Sequence, residues 1–464
     1  MPTESSRSLQ EMLQGSPYVS YAYSYPHKLA YRPLTPPQSL DVVWKTESRD
    51  ALFLYLHIPF CEFRCGFCNL FTQSQPLADV PGRYLDQLRR EAEQVRLALG
   101  DCQFARMAIG GGTPTFLSIS ELQMLWQIIG ETMGADSKVI PTSVEASPAT
   151  IDAEKLAFLR EKGVERLSLG VQSFDDDTSN RLGRPQKRAE TERSLALICD
   201  SRFPIVNLDL IYGAESQSPQ NWVQTVSTAL EYRPEEIYLY PLYVREQTGL
   251  GRRIREWDDT RLQAYRAARV LLLDAGYSQI SFRMFARNIE SHIPTGGAGN
   301  GEHEPSAGSS QSKAPYYCQS DGMVGLGCGA RSYTSHLHYS TDYAVSQTGV
   351  KAILGDYLKR QPSEFAAAHH GIMLSVEEQK RRFVILSLLQ RSGLDCISYS
   401  RRFETNAFAD MTDLNELECA GLAMRQNGSL QLTDEGIEWS DAIGPWLASG
   451  SVSRLIEERA ACLT

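Results

Sequence analysis

The chain reads as an α/β protein: an open, curved sheet of six β/α units followed by a small helical, winged-helix-like domain. Two observations predict this. From residue 52 to about 242, short β-rich runs alternate with longer amphipathic stretches, as parallel strands joined by helical crossovers do. From about residue 375 the order becomes helix, helix, short ribbon, helix.

The first strand is LFLYLHI (52–58), a nearly continuous apolar run of the kind a strand covered on both faces shows. The stretch YLDQLRREAEQVRLAL (84–99) has helical spacing and returns the chain. Further strands are FARMAIG (104–110), SVEAS (143–147), VERLSLGVQ (164–172), FPIVNLDLIYG (203–213) and EEIYLYPLYV (235–244). Helices between them carry start signals: Ser118 or Ser120 before SELQ, Asp152 near AEKL, and Ser218 with Pro219 ahead of QNW. Six units are too few for a closed eight-unit barrel and enough for an open sheet.

A helical stretch (about 260–275) follows, and then PTGGAGNGEHEPSAGSSQSK (294–313), rich in Gly and Ser without apolar periodicity, reads as a flexible insertion. The expected organisation is an arm (1–50), a core (51–290), the insertion (291–315), a core extension (316–374) and the terminal domain (375–464), whose default role is a lid or partner surface.

With 464 residues, 42% of them hydrophobic and 22% charged, the chain can bury a large core and form more than one folding unit. A net charge of -10 argues against bulk nucleic-acid binding. No apolar run reaches the roughly 18 residues that a membrane span needs, and the first residues lack a secretory pattern. A cytoplasmic protein with no membrane partner is expected. Of ten cysteines seven are scattered (Cys102, Cys199, Cys318, Cys328, Cys396, Cys419, Cys462), which is no disulfide framework.

The other three are clustered. Cys61, Cys65 and Cys68, in CEFRCGFCNLF, have the spacing C-x3-C-x2-C directly after the first strand. Thiolates so spaced can bind three irons of a 4Fe-4S cubane and leave the fourth open. A structural zinc would need a fourth ligand, such as His57 or a distant Cys, and a dithiol redox motif is a third reading. GGGTPTFL (110–117) follows the second strand; its glycines allow close backbone approach to a ligand or simply a turn, and it is no dinucleotide fingerprint because GxGxxG is absent. Glu145, Gln172, Asp209 and Arg184 fall at or just past strand ends, where ligands gather in such sheets. Each alone suits a structural polar group, whereas together they suit hydroxyl, ammonium and carboxylate partners. Arg245, Arg252, Arg253 and Arg255 form either a solvated face or a site for a substrate with several carboxylates.

In their order and separations, C-x3-C-x2-C after YLHIPF, then GGGTPTFL, EASP, GVQSFD, RLGR and NLDLIYG resemble the radical SAM superfamily. More narrowly they resemble the oxygen-independent coproporphyrinogen III oxidase (HemN-like) family, with coverage extending through GLGCGARSY (325–333) to the terminal domain and with YAYSYPHK (21–28) similar to that family's YTSYP arm. The resemblance implies a partial (β/α)6 barrel of the radical SAM type. It implies a 4Fe-4S cluster on Cys61, Cys65 and Cys68, whose open iron binds S-adenosylmethionine (SAM). It further implies SAM contacts at Tyr55, Phe67, Gly111, Gly112 and Glu145, and a second SAM site next to Gly112 and Thr113 built from Gln172, Arg184, Asp209 and Pro241.

Three departures stand out. Leu70 occupies the family's fourth cysteine position. SKAPYY places Ser312 and Lys313 where related haem chaperones have His and Asn. YPLYVREQT (240–248) is closer to the chaperone pattern than to the oxidase pattern. The expected function is a radical SAM oxidoreductase that abstracts hydrogen from a tetrapyrrole-like substrate, with an electron donor such as a flavodoxin or ferredoxin. A HemN-like methyltransferase using two SAM molecules is the alternative enzyme, and a haem-binding chaperone the alternative of another class.

Overall fold

The structure is a computed structural model that describes residues 8–22, 24–215, 217–244, 247–251, 260–287 and 322–463. Arg245, Arg252, Arg253, Arg255, Ser312, Lys313 and the whole of the expected insertion (291–315) lie outside the described residues.

Among the described residues, thirteen strands form one sheet. In chain order they are β1 (Arg32–Ser39), β2 (Leu52–Ile58), β3 (Phe104–Gly111), β4 (Thr142–Ala146), β5 (Arg166–Gln172), β6 (Ile205–Tyr212), β7 (Glu236–Pro241), β8 (Ser278–Gln279), β9 (Met284–Ala286), β10 (Met323–Leu326), β11 (Arg331–Tyr333), β12 (Leu337–Ser340) and β13 (Ala367–Met373). Their spatial order is β1-β13-β12-β11-β10-β2-β3-β4-β5-β6-β7-β9-β8. The run β2 to β7 is parallel throughout and corresponds to the six expected strands. Strand β2 is buried except for the half-buried Tyr55, which accounts for its nearly unbroken apolar sequence.

The helices behind this run start where side chains can cap them. Ser118 accepts from the Glu121 amide while Glu121 accepts from Ser118, a reciprocal box at the start of helix Ile119–Gln127. Asp152 caps Ala153–Glu161, and Ser218 caps Pro219–Glu231 with Pro219 in the first turn.

The sheet is wider than six strands. On the β2 side, β10 adds in parallel and β11, β12, β13 and β1 continue antiparallel; on the β7 side, β9 and β8 are antiparallel. Most of these strands are only two to four residues long, so alternation is too brief to mark them. The three prolines of RPLTPPQS, Pro33, Pro36 and Pro37, fit β1 because it lies on the sheet edge, where a missing N–H can face away from the ladder.

The terminal domain begins with helix Val376–Leu388 and includes a three-stranded sheet of Leu394–Asp395, Ser429–Leu432 and Ala423–Gln426. Its apolar residues, among them Ile385, Leu388, Ile443 and Leu447, join the same core as the sheet. Among the described residues no helix is long and apolar enough to cross a membrane.

Candidate active site and metal centre

The loop after β2 carries the cysteines and is braced from both sides. The Gly66 amide donates to the Leu182 carbonyl at 3.0 Å, and the Leu250 amide donates to the Gly66 carbonyl at 2.8 Å. Within the loop the Cys68 amide closes a turn on the Cys65 carbonyl (3.1 Å). The Cys61 sulfur accepts from Thr113 Oγ1 at 3.6 Å, and the Cys65 sulfur accepts from Arg184 Nη1 at 3.2 Å. Burial pushes the Cys61 thiol up to about 12, with Cys68 beside it adding in the same direction, and burial raises Cys65 as well. Iron must therefore displace protons from these sulfurs at neutral pH.

Gly112 sets how closely the second loop approaches. Its amide donates to the Ile58 carbonyl at 2.8 Å, and a Cβ built there would lie 2.6 Å from the Phe60 carbonyl oxygen and 2.9 Å from the Cys61 sulfur. Backbone on one side and a cluster ligand on the other leave nothing flexible to yield. Replacing Gly112 with Ala is therefore expected to destabilise the fold by about 1–3 kcal/mol and to reduce iron retention. Thermal unfolding and iron analysis of anaerobically purified protein check this; unchanged values in both would refute it.

Glu145 on β4 accepts from the Gly111 amide at 3.0 Å. Its side chain lines the cavity, where the surrounding protein pushes its carboxyl up to about 7, the Asp209 charge adding to it. Asp209 on β6 accepts from Asn207 Nδ2 at 2.8 Å and is pushed up to about 6, again by burial first. Beneath them Arg166 and Glu236 form a buried ion pair at 2.7 Å. Arg184 is held in place by Gln186 (2.7 Å), the Gly170 carbonyl (2.7 Å) and Ser147 (3.1 Å). Gln172, at the end of β5, has a left-handed φ of 67°, a strained state that concentrates at functional sites.

His57, the last but one residue of β2, is buried and its pKa is depressed to about 4, chiefly by burial. Its Nε2 lies 3.0 Å from the Phe71 carbonyl, which can only accept, so Nε2 carries the proton and Nδ1 faces the Tyr55 hydroxyl at 3.4 Å. The ring braces the cysteine loop as a neutral group, a use different from the zinc ligand considered above.

One cavity of about 1670 Å³ collects the expected site residues: Cys61, Cys65, Cys68, Tyr55, Phe67, Gly111, Gly112, Thr113, Glu145, Gln172, Arg184, Asp209 and Pro241 all line it. Leu70 lines it too and is 48% exposed, so an apolar side chain faces the cavity at the family's fourth cysteine position. Sequence reading missed Lys28, Arg166, Arg331 and Asp441, which line the same space. Arg166 had a local signal, a charge opening an otherwise uncharged strand.

Residues 55–229 match the Radical SAM superfamily, and residues 374–439 match the HemN C-terminal domain. Residues 55–229 are thus similar to radical SAM proteins, and residues 374–439 to the C-terminal domain of HemN proteins. It is 36% identical over 197 residues to the heme chaperone HemW of Bacillus subtilis (strain 168), covering 42% of this chain and 51% of that one. To the oxygen-independent coproporphyrinogen III oxidase of Escherichia coli (strain K12) it is 28% identical over 402 residues, covering 83% of this chain and 81% of that one. The corresponding oxidase of Paracoccus denitrificans (strain Pd 1222) is 30% identical over 57% of this chain and 60% of its own. The chain thus spans half to three fifths of two of these relatives. The fold of E. coli HemN superposes with a TM-score of 0.75 over 96% of this chain and 99% of that one, at 22% identity.

The cofactors are the 4Fe-4S cluster and SAM that the radical SAM superfamily uses. The donor set fits. Three thiols on one loop face the cavity, two of them receiving hydrogen bonds that favour thiolate. Among the described residues no three His, Cys, Asp or Glu side chains close around a single ion.

Proposed function

We propose that the chain is a HemN-like oxidoreductase that abstracts hydrogen from a tetrapyrrole-like, carboxylate-bearing substrate. The observation that carries this reading is the size of the half-open cavity that the site residues line. At about 1670 Å³ it exceeds the few hundred to roughly 1,000 Å³ that one small ligand occupies, and the cysteine loop forms one part of its wall. Space therefore exists for SAM beside the loop and for a macrocycle beyond it.

In this reading Cys61, Cys65 and Cys68 hold the cluster, which when bound supplies the electron that splits SAM into methionine and a 5′-deoxyadenosyl radical. The chain's own residues bind, orient and exclude water. Glu145 and Asp209 offer carboxylates to ammonium and ribose hydroxyl groups, Phe67 packs on the adenine, and Arg184 pairs with a carboxylate. Gln172, Pro241 and Thr113 complete the place of a second SAM. A reduced flavodoxin- or ferredoxin-like donor in the cytoplasm belongs to the same reading.

A second reading, a haem-binding chaperone, is favoured by the 36% identity to the B. subtilis HemW. Anaerobic reconstitution with SAM and a chemical reductant, followed by mass spectrometry with coproporphyrinogen III or haem supplied, separates the readings. Oxidative decarboxylation with 5′-deoxyadenosine supports the oxidase, and S-adenosylhomocysteine indicates methyl transfer. Tight haem binding without turnover overturns the enzyme reading in favour of the chaperone.

The raised carboxyls add a pH signature. A cationic ligand selects the ionised forms, so binding SAM expels protons from Glu145 and Asp209. SAM affinity should rise as pH passes from about 6 to about 7 and level off above. In Glu145→Gln the upper part of that rise should vanish. Equilibrium binding from pH 5.5 to 8 tests this, and a wild-type affinity flat across the range would contradict it.

A further inference from the structure

Strand β7 turns one set of alternating side chains toward the cavity. Ile237 and Leu239 are buried, while Tyr238 and Tyr240 are half-buried and line the cavity, as the two-residue period of a strand requires. Their rings lie nearly parallel, with centroids 5.9 Å apart and 18° between planes. A third ring comes from the arm, where Tyr21 meets Tyr240 edge-on at 6.4 Å. Tyr21 is itself seated on the Arg283 guanidinium, 3.7 Å from the ring centre, and Asp441 fixes that guanidinium. Two segments distant in sequence thus build one aromatic surface on the cavity wall.

Packing alone does not account for the two β7 tyrosines. Other cavity tyrosines spend their hydroxyls within the fold: Tyr243 donates to Asp441, and Tyr343 to the Asn69 carbonyl at 2.5 Å. Among the described residues the hydroxyls of Tyr238 and Tyr240 have no hydrogen-bond partner, and neither oxygen is sealed from the cavity. A hydroxyl shut in without a partner costs about 1–3 kcal/mol, so whatever fills this space must meet both. Burial raises both phenols well above their ordinary range, so the hydroxyls stay protonated and can donate. Tyr240 also packs on the small apolar cluster of Leu182, Ile211 and Leu250 that carries Phe67 of the cysteine loop. The aromatic surface therefore begins at the cluster that seats the residue expected on the adenine of SAM, and it continues onto the arm.

We propose that Tyr238 and Tyr240, flanked by Tyr21, form an aromatic wall that takes the ring face of the tetrapyrrole substrate, with the two hydroxyls donating to polar groups at its edge. This rests on the tetrapyrrole reading above and deepens it by naming the surface that holds the macrocycle. Aromatic rings prefer offset or edge-on contact with a flat ring system, and pockets for such ligands combine apolar and aromatic walls with a few placed polar groups. Through Arg283 and Tyr21, Asp441 also gives the terminal domain a hold on this wall.

The test uses the full chain, anaerobically reconstituted, with coproporphyrin III as a stable probe and its tetramethyl ester as an uncharged one, both followed by the shift of the main porphyrin absorption band. Tyr238→Leu and Tyr240→Leu are each expected to weaken coproporphyrin III binding about tenfold and to reduce the band shift. The ester should lose as much, because the wall reads the ring and not its carboxylates. Tyr238→Phe and Tyr240→Phe keep the ring and should stay within about threefold of wild type. Iron content and SAM affinity should be unchanged in all four. If a Leu variant proves unfolded by circular dichroism, Tyr240→Met, closer in volume, carries the same expectation. Wild-type binding of coproporphyrin III with no loss in the Leu or Met variants overturns the inference alone. An equal loss of SAM affinity overturns it too, since the wall would then hold cofactor. If wild type binds neither coproporphyrin III nor haem, the tetrapyrrole reading itself fails and takes this wall with it.

Discussion

Cys65→Ala is expected to abolish the cluster: anaerobically reconstituted protein should lose its brown absorbance, most of its iron and sulfide, and SAM cleavage by well over a hundredfold. Losing an outer-shell partner of a metal ligand typically costs 10–100-fold, and here a ligand itself goes. Cys65 is held by the turn to Cys68 and faces the Arg184 guanidinium at 3.2 Å, so removing its sulfur also leaves a buried cation without one of its acceptors. The proper comparison is Cys199→Ala, an exposed thiol outside the loop, which should keep iron, sulfide and turnover near wild-type values. Intact absorbance and SAM cleavage in Cys65→Ala, or zinc without sulfide in the wild type, would sink the assignment.

The site divides into a part that local sequence encodes and a part that it does not. Cys61, Cys65, Cys68 and Gly112 lie in two short loops directly after β2 and β3, and neighbouring parallel strands deliver such loops to the same end. Spacing therefore carries the geometry. Glu145, Gln172 and Asp209 are legible for the same reason. Lys28 and Arg331 are separated by some three hundred positions and line one cavity because β10 joins β2 in parallel and residues of the arm also line that cavity. No local period records such a convergence. The extension strands were invisible because β11, with three residues, is too short to alternate. In the same way His57 read as a candidate ligand until its burial and its bond to the Phe71 carbonyl made it a brace.

The other large effect should come from Asp441, far from the cysteines in sequence and silent in motif. Its carboxylate takes both guanidinium nitrogens of Arg283, Nη1 at 2.8 Å, together with the Tyr243 hydroxyl, and its carbonyl accepts from the Ser20 amide at 3.0 Å. The guanidinium also lies 3.7 Å from the centre of the Tyr21 ring. One residue of the terminal domain thus binds the arm, the segment after β7 and the residue just before β9. The pair is almost sealed, with side-chain exposures of 4% for Arg283 and 2% for Asp441. Asp441→Ala would strand a buried guanidinium, and a loss of about 3–5 kcal/mol is expected, read as a lowered denaturation midpoint. Because the arm and the terminal domain both line the cavity, substrate turnover should fall further than SAM cleavage does. Replacing both partners, as in Arg283→Met with Asp441→Leu, should recover much of the stability, since no unpaired charge remains. It should not recover turnover, because the Tyr243 hydroxyl would still lack its carboxylate. A double variant as unstable as Asp441→Ala would argue that packing, and not the buried charge, sets the cost.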